Sequence, residues 1–193
     1  MILPIIAYGH PVLRKVCKDI FPDHSNLDKL IADMWETMEA SNGVGLAAPQ
    51  VNKDIRLFIV DSTHIFQNMD EAERNQYPDA PGIRQVFINA HVQEMDGEEW
   101  VYNEGCLSIP KIREDVYRQE SVTLKYLDEN FAQQKKTYSG LTARVILHEY
   151  DHIEGKLFID YLPPLKKKLI KGKLNDISKG KIEVDYKMSF PIK

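Results

Sequence analysis

The pentapeptide His148-Glu149-Tyr150-Asp151-His152 leaves this chain less freedom than any other stretch of its 193 residues. Just upstream, Gly140 opens a segment in which Leu141, Val145, His148 and His152 fall at i, i+4, i+7 and i+11, one face of a helix that closes at Gly155. A helix whose apolar face also carries two histidines belongs in the middle of a fold, and the four-residue interval sets both rings on one side, where they can grip one ion. Glu149 then points near the open coordination position. A carboxylate there can take a proton from bound water and pass it to a leaving nitrogen, the work of a general base and acid in amide hydrolysis. The plainer reading of the same residues is a core helix with one structural histidine and a surface acid.

Catalytic metal sites commonly keep three protein ligands and one water. The continuation H-E-x-x-H-x-x-G-x-x-H of one protease class fits at Gly155 and fails at Phe158, and after Glu154 the only glutamate is Glu183. That leaves Cys106, a soft thiolate suited to iron or zinc, which would otherwise be a small buried hydrophobe. The only other cysteine, Cys17, is read as such a hydrophobe. Two cysteines are too few for a disulfide framework and fit a reducing compartment.

Upstream of these ligands, Ser25-Asn26-Leu27-Asp28 has the form of a capping box, and Leu27, Leu30, Ile31, Met34, Trp35 and Met38 recur at helical spacing, predicting a helix over 26–41 that stops at Asn42-Gly43. Strands are expected over 56–61, 86–89 and 92–95, the last paired through Asp96-Gly97 with 98–102 as a hairpin, and a second hairpin joins 121–127 to 131–138. Residues 62–85 read as a polar loop insertion of undefined purpose. Pro163 and Pro164 suit the start of a last helix with Leu165, Leu169, Leu174 and Ile177 facing inward and lysines facing water. Beyond Gly180 the pattern places neither strand nor disorder. The expected fold is α+β in one domain over 1–193: antiparallel strands around the central metal-binding helix, one helix near the start and a basic helix and tail over 164–193.

Charge and hydropathy narrow the classes further. With 43% hydrophobic and 28% charged residues and no apolar run near the ~20 residues a bilayer requires, no membrane span is expected. The segment Met1-Ile2-Leu3-Pro4-Ile5-Ile6 lacks the basic start and long apolar core of a secretory signal, so a cytoplasmic location is the expectation. The net charge of -4 argues against nucleic-acid binding by the whole surface, yet residues 164–193 hold nine lysines against three acids.

Three segments taken together carry a resemblance. Gly43-Val44-Gly45-Leu46-Ala47-Ala48-Pro49-Gln50, Glu104-Gly105-Cys106-Leu107-Ser108-Ile109-Pro110 and His148-Glu149-Tyr150-Asp151-His152 resemble, in order, the three signature motifs of peptide deformylases, and the likeness runs from Gly9-His10-Pro11-Val12-Leu13-Arg14 to about Leu162. The resemblance implies removal of the formyl group from N-formylmethionyl nascent peptides. It implies one divalent ion on Cys106, His148 and His152, Fe2+ first, with Zn2+, Ni2+ or Co2+ in purified protein. Glu149 becomes general base and acid, and the Gln50 amide and Leu107 backbone N–H face the formyl oxygen. Val44, Leu141 and Val145 line a methionine slot. Gly45 and Gly105 pair with an extended peptide, and Arg113 meets its backbone. In bacterial relatives the last helix docks on the ribosome near the peptide exit, which makes these lysines candidate phosphate contacts; their plainer reading is a solvated face. Glu104 and Arg118 are candidates for a supporting ion pair.

His10 stands where relatives often have Asp, and Lys111 where many have Gly. Three rival readings remain at this point: a zincin-type metallopeptidase with a third ligand other than Cys106, a thiol hydrolase with Cys106 activated by His148, and a silent ribosome-binding module, against which the intact Glu149 speaks.

Overall fold

The computed structural model describes residues 1–191. Strand β1 (Ile5–Ile6) leads into a short 3-10 turn (Pro11–Arg14), helix α1 (Leu27–Ala40), strand β2 (Gly45–Ala47) and strand β3 (Leu57–Asp61). Two short helices follow, α2 (Thr63–Gln67) and α3 (Glu71–Arg74), then the long strands β4 (Arg84–Cys106) and β5 (Ile109–Leu127) and strand β6 (Gln133–Ser139). Helix α4 (Gly140–Ile153), helix α5 (Pro164–Ser178) and strand β7 (Met188–Ser189) complete the order. Strands β2-β3-β4-β5-β6 form one antiparallel sheet, and β1 and β7 pair in parallel. Helix α4 packs against β2, β3, β5 and β6, so the expected α+β arrangement around a central helix is the observed one. Among the described residues no helix is long and apolar enough to cross a membrane.

The sheet's inner face follows the two-residue period of its strands. Along β5, Val116, Arg118, Val122, Leu124 and Tyr126 are buried, and Phe87 of β4 stacks on Phe58 of β3 with centroids 4.7 Å apart. Helix α4 contributes Ala143, Val145, Ile146 and Leu147 to the core cluster that holds Phe58, Phe87, Val122, Leu124 and Tyr126. Such residues supply about 25 cal/mol per Å² of apolar surface removed from water. Because Arg118 falls on the inward set, the fold has to supply it with an acid.

Several sequence expectations are corrected. Asp96-Gly97 is not a hairpin turn: β4 runs through it, and the register against β5 slips between Asp96 and Glu99. Gly97, at φ 85, takes a positive φ within a strand, as a bulge and a turn both demand. The real reversal lies at Leu107 and Ser108, between Cys106 and Ile109. The capping box before α1 does not close, because Asn26 is the N-cap in a left-handed conformation without a side-chain bond, whereas a side-chain cap needs an extended residue there.

Residues 62–85 are not a structureless insertion. They hold α2 and α3, and Arg84 and Gln85 already belong to β4. Ser62 Oγ lies 2.9 Å from Thr142 Oγ1, and Asp79 Oδ2 accepts the Thr142 N–H at 2.8 Å. Ser139, the N-cap of α4, makes no side-chain bond, so Asp79 satisfies an N-terminal donor of the helix from a distance. In α5 the buried stripe is Ile170, Leu174 and Ile177, while Leu165 and Leu169 are each 68% exposed. At about 100° per residue these leucines sit roughly 140° and 100° round from Ile170. The tail beyond Gly180 returns to the body: Ile5 N–H donates to the Lys187 carbonyl at 2.8 Å and Ala7 N–H to that of Ser189 at 2.9 Å.

Candidate metal centre and catalytic cavity

Helix α4 and the β4–β5 hairpin meet at three donor atoms. One ligand atom each from Cys106, His148 and His152 lies within 4.8 Å of the others, and Cys106 Sγ is 3.3 Å from His152 Nε2. The helical spacing predicted for the histidines places their ring centroids 5.1 Å apart. His148 Nδ1 is 2.9 Å from Glu104 Oε2. An ionised carboxylate only accepts, so Nδ1 carries the hydrogen and Nε2 keeps the lone pair that could bind an ion. Among the described residues no other His, Cys, Asp or Glu joins this group, so no third ligand of the zincin kind replaces Cys106.

Burial and neighbours act on the donors. Burial pulls His148 down, but Cys106 and Glu104 raise it overall, whereas burial together with the charges of His148 and Arg118 lowers His152. A soft sulfur, the buried His152 imidazole and the partly buried His148 imidazole already backed by a carboxylate form a donor set that fits a divalent transition ion.

Glu104 anchors that arrangement. Arg118 donates to both of its oxygens, at 2.7 and 3.0 Å, and Arg144 adds a bond at 3.1 Å. Arg118 also donates to Asp151 at 2.6 Å, which in turn accepts from the Tyr161 hydroxyl at 3.0 Å. Burial alone would raise the Glu104 carboxyl, yet His148 and Arg118 hold it well below the usual carboxylate range. The predicted Glu104–Arg118 pair is therefore present within a larger network. Arg144 and Asp151 were missed by the sequence reading, although Arg144 lies four residues before His148 and on the same face of α4, a position that demands an acidic partner.

Glu149 is treated otherwise. It is 4% exposed, its Oε2 has no partner, and burial pushes its carboxyl up to about 7. Gly45 makes room for it: a Cβ at that glycine would stand 2.5 Å from Glu149 Oε1.

Gln50 sits on the 3-10 turn Ala48–Val51 and is 1% exposed. Its Oε1 accepts the Ala47 N–H at 2.8 Å, which turns its amide nitrogen toward Cys106 Sγ at 3.5 Å and Ser108 Oγ at 3.3 Å. A cavity of about 960 Å³ brings Gln50, Cys106, Leu107, His148 and Glu149 together. Val44, Gly45, Gly105, Arg113, Leu141 and Val145 also line it. Arg113 is held by Asn103, with Nε donating to Asn103 Oδ1 at 3.0 Å. The cavity also includes a residue that no sequence signal pointed to, Tyr186, whose hydroxyl donates to the Leu107 carbonyl at 2.8 Å.

The two departures have local explanations. His10 Nδ1 accepts the Val12 N–H at 3.2 Å, the capping bond an Asp would make. Lys111 takes φ 60, a left-handed conformation that glycine adopts without strain. Cys17 is 5% exposed, and burial raises its thiol to about 11, as expected of an inert core residue.

An antiparallel sheet wrapped on a helix that carries two of three metal-binding side chains, with a buried acid beside them, defines a metal-dependent hydrolase. The polypeptide deformylase family model matches residues 2–168. A peptide deformylase of Christiangramia forsetii is 57% identical over 193 residues, spanning 99% of this chain and 97% of that protein. Among solved structures, the peptide deformylase of Legionella pneumophila superposes with a TM-score of 0.77 at 34% identity, covering 94% of this chain and 98% of its own. The Plasmodium falciparum enzyme in complex with an inhibitor gives 0.74 at 31%, covering 91% and 99%. The chain belongs to the polypeptide deformylase family.

Proposed function

We propose that this chain hydrolyses the formyl group from N-formylmethionyl nascent peptides, releasing formate and a free amino terminus, with Cys106, His148 and His152 holding the ion. The observation that carries the reading is one convergence: three potential ligand atoms within 4.8 Å of one another, two of them on residues that line the cavity, beside a glutamate with an unpartnered oxygen and a glutamine amide directed at Cys106. A divalent ion bound there supplies Lewis acidity, polarising the formyl carbonyl and bringing the pKa of a water toward neutrality. Glu149, with its carboxyl pushed up to about 7, accepts the proton of the attacking water and returns it to the departing amine. Gln50 Nε2 and the Leu107 N–H donate to the formyl oxygen as it gains charge; losing one such donor costs roughly 3 to 4 kcal/mol.

Substrate binding follows from the sheet. Strand β2 is an edge strand, paired on one side only, so Gly45 can receive an extended peptide that also reaches Gly105. Val44, Leu141 and Val145 enclose the methionine side chain, and Arg113 meets the peptide backbone. Fe2+ is the physiological ion we favour, since a thiolate with two imidazoles suits it; Zn2+, Ni2+ or Co2+ replaces it where oxygen removes iron. The cytoplasm is the matching compartment. The ribosome near the peptide exit is the partner we assign to the lysines of α5, whose Leu165 and Leu169 also stand exposed.

Formate release from formyl-Met-Ala-Ser by anaerobically prepared protein tests the reading, beside Glu149→Ala and chelator-treated protein restored with nickel. Release that needs both Glu149 and metal is expected. Metal-loaded protein that releases no formate would overturn it, and activity indifferent to chelation would return Cys106 to the role of a nucleophile.

A further inference from the structure

The segment after α5 lies beyond residue 168, where the family match ends, yet it comes back to the cavity. Two attachments hold it. On its far side β7 pairs in parallel with β1, Ile5 opposite Met188 and Ile6 opposite Ser189. On its near side Ile182 packs against the core cluster that contains Ile109, Ile112 and Phe158, which Met188 and Phe190 of the far side also meet. Between these anchors Glu183, Val184, Asp185 and Tyr186 face the same cavity as Gln50 and Glu149. The Tyr186 hydroxyl ends on the Leu107 carbonyl at 2.8 Å, in the two-residue reversal of the β4–β5 hairpin.

That contact falls between the two strands, on a residue whose side chain packs against the core cluster of Met38 and Leu46 and whose carbonyl the tail reaches. Cys106 is held by its place beside His152, and Ser108 is fully buried and bonded to Gln50. Leu107 between them is half-buried and belongs to neither strand. A donor useful to a transition state must be fixed to within a few tenths of an ångström of where charge develops, and a two-residue reversal does not ensure that alone. Burial, with the Cys106 sulfur, raises the Tyr186 hydroxyl far above neutrality, so it stays protonated and keeps donating.

We propose that residues 183–186 form a built-in wall of the substrate groove and that Tyr186 is a positioning residue, tethering the Leu107 backbone so that its N–H meets the developing oxyanion. The inference rests on the role assigned above to Leu107. It also assigns the tail a place beside the substrate residues that follow formylmethionine.

Tyr186→Phe removes the tether and keeps the ring. Because the lost contact acts through a transition-state donor, kcat on formyl-Met-Ala-Ser should fall about threefold to tenfold while KM stays within about twofold, as a hydrogen bond of ordinary strength implies. Thermal stability and bound metal should match the wild type, and amide exchange at Leu107 and Ser108 should quicken. Tyr186→Ala, which also opens the wall, should in addition raise KM for the tripeptide more than for formyl-Met-Ala. An unchanged kcat in Tyr186→Phe, or a lower melting temperature with full turnover, would overturn the proposal, as would higher turnover of the tripeptide in Tyr186→Ala, which would make the tail a cover. Wild-type protein that releases no formate would defeat the functional reading itself, and the exchange measurement would still decide whether Tyr186 holds Leu107.

Discussion

The β4–β5 hairpin and helix α4 each bury a carboxyl group beside the metal cluster, Glu104 and Glu149, both 4% exposed, and they surround it in opposite ways. Glu104, on the hairpin, meets three donors, Arg118 from β5 and Arg144 and His148 from α4, and is held ionised. The helix gives Glu149 none for its Oε2 and lets burial push it up to about 7. A buried carboxylate that is fully bonded cannot exchange protons near neutrality and serves as a fixed charge. One left short of partners is costly to keep and is poised to exchange them. That difference is the ground on which we read Glu104 as support and propose Glu149 as the proton carrier.

The sharpest way to break this comparison is to neutralise each acid without changing its shape. Glu149→Gln should fold and bind metal as the wild type does, because no partner is lost, yet formate release should fall by about two to four orders of magnitude, the range for a general acid and base. Turnover within tenfold of wild type at full metal content would mean that Glu149 is not the proton carrier. Glu104→Gln should do the reverse. It leaves Arg144 buried without its counter-charge, Arg118 with Asp151 alone and His148 without its charged orienting acceptor, so stability should drop by about 3 to 5 kcal/mol and metal affinity about 10- to 100-fold. Thermal unfolding and metal per chain measure both. Residual activity per bound ion should stay close to normal, and a selective loss of activity at full occupancy would erase the distinction between the two carboxyls.

How much of this was legible beforehand depends on whether the constraint was local. The helical period placed His148, His152, Leu141 and Val145 on one face from sequence alone, and the structure has Leu141, Val145 and His148 on one cavity with His152 beside His148 and Cys106, because a helix fixes neighbours four residues apart wherever it is packed. Asp96-Gly97 misled because a tight turn and a β-bulge both want a positive φ, and only the partner strand decides between them. Leu165 and Leu169 misled because they and the true stripe form overlapping four-residue series, separated only by which face the body covers. Arg144, Asp151 and Tyr186 were not legible as site residues, since Glu104, Arg118 and Leu107, their partners, are between 33 and 79 positions away. The pairing of β7 with β1 joins nearly the two ends of the chain, and two residues per strand give no periodicity to read.

A third carboxyl sharpens the comparison at its weak end. Asp79 also keeps one buried oxygen without a partner, Oδ1, which taken alone would rank it with Glu149. Its other oxygen, however, accepts the Thr142 N–H at the start of α4, and Oδ1 is pressed where a Cβ on Gly140 would stand 2.3 Å away. Asp79 thus faces the positive end of a helix outside the cavity, and its unsatisfied oxygen reflects a compensated cost rather than a poised proton. Asp79→Ala should lower stability by about 1 kcal/mol, as loss of a helix cap does, and leave kcat within about twofold. Denaturant unfolding beside steady-state formate release would measure both. A large fall in turnover with unchanged stability would show that the start of α4 transmits its position to His148, and that an orphaned oxygen marks function even outside the cavity.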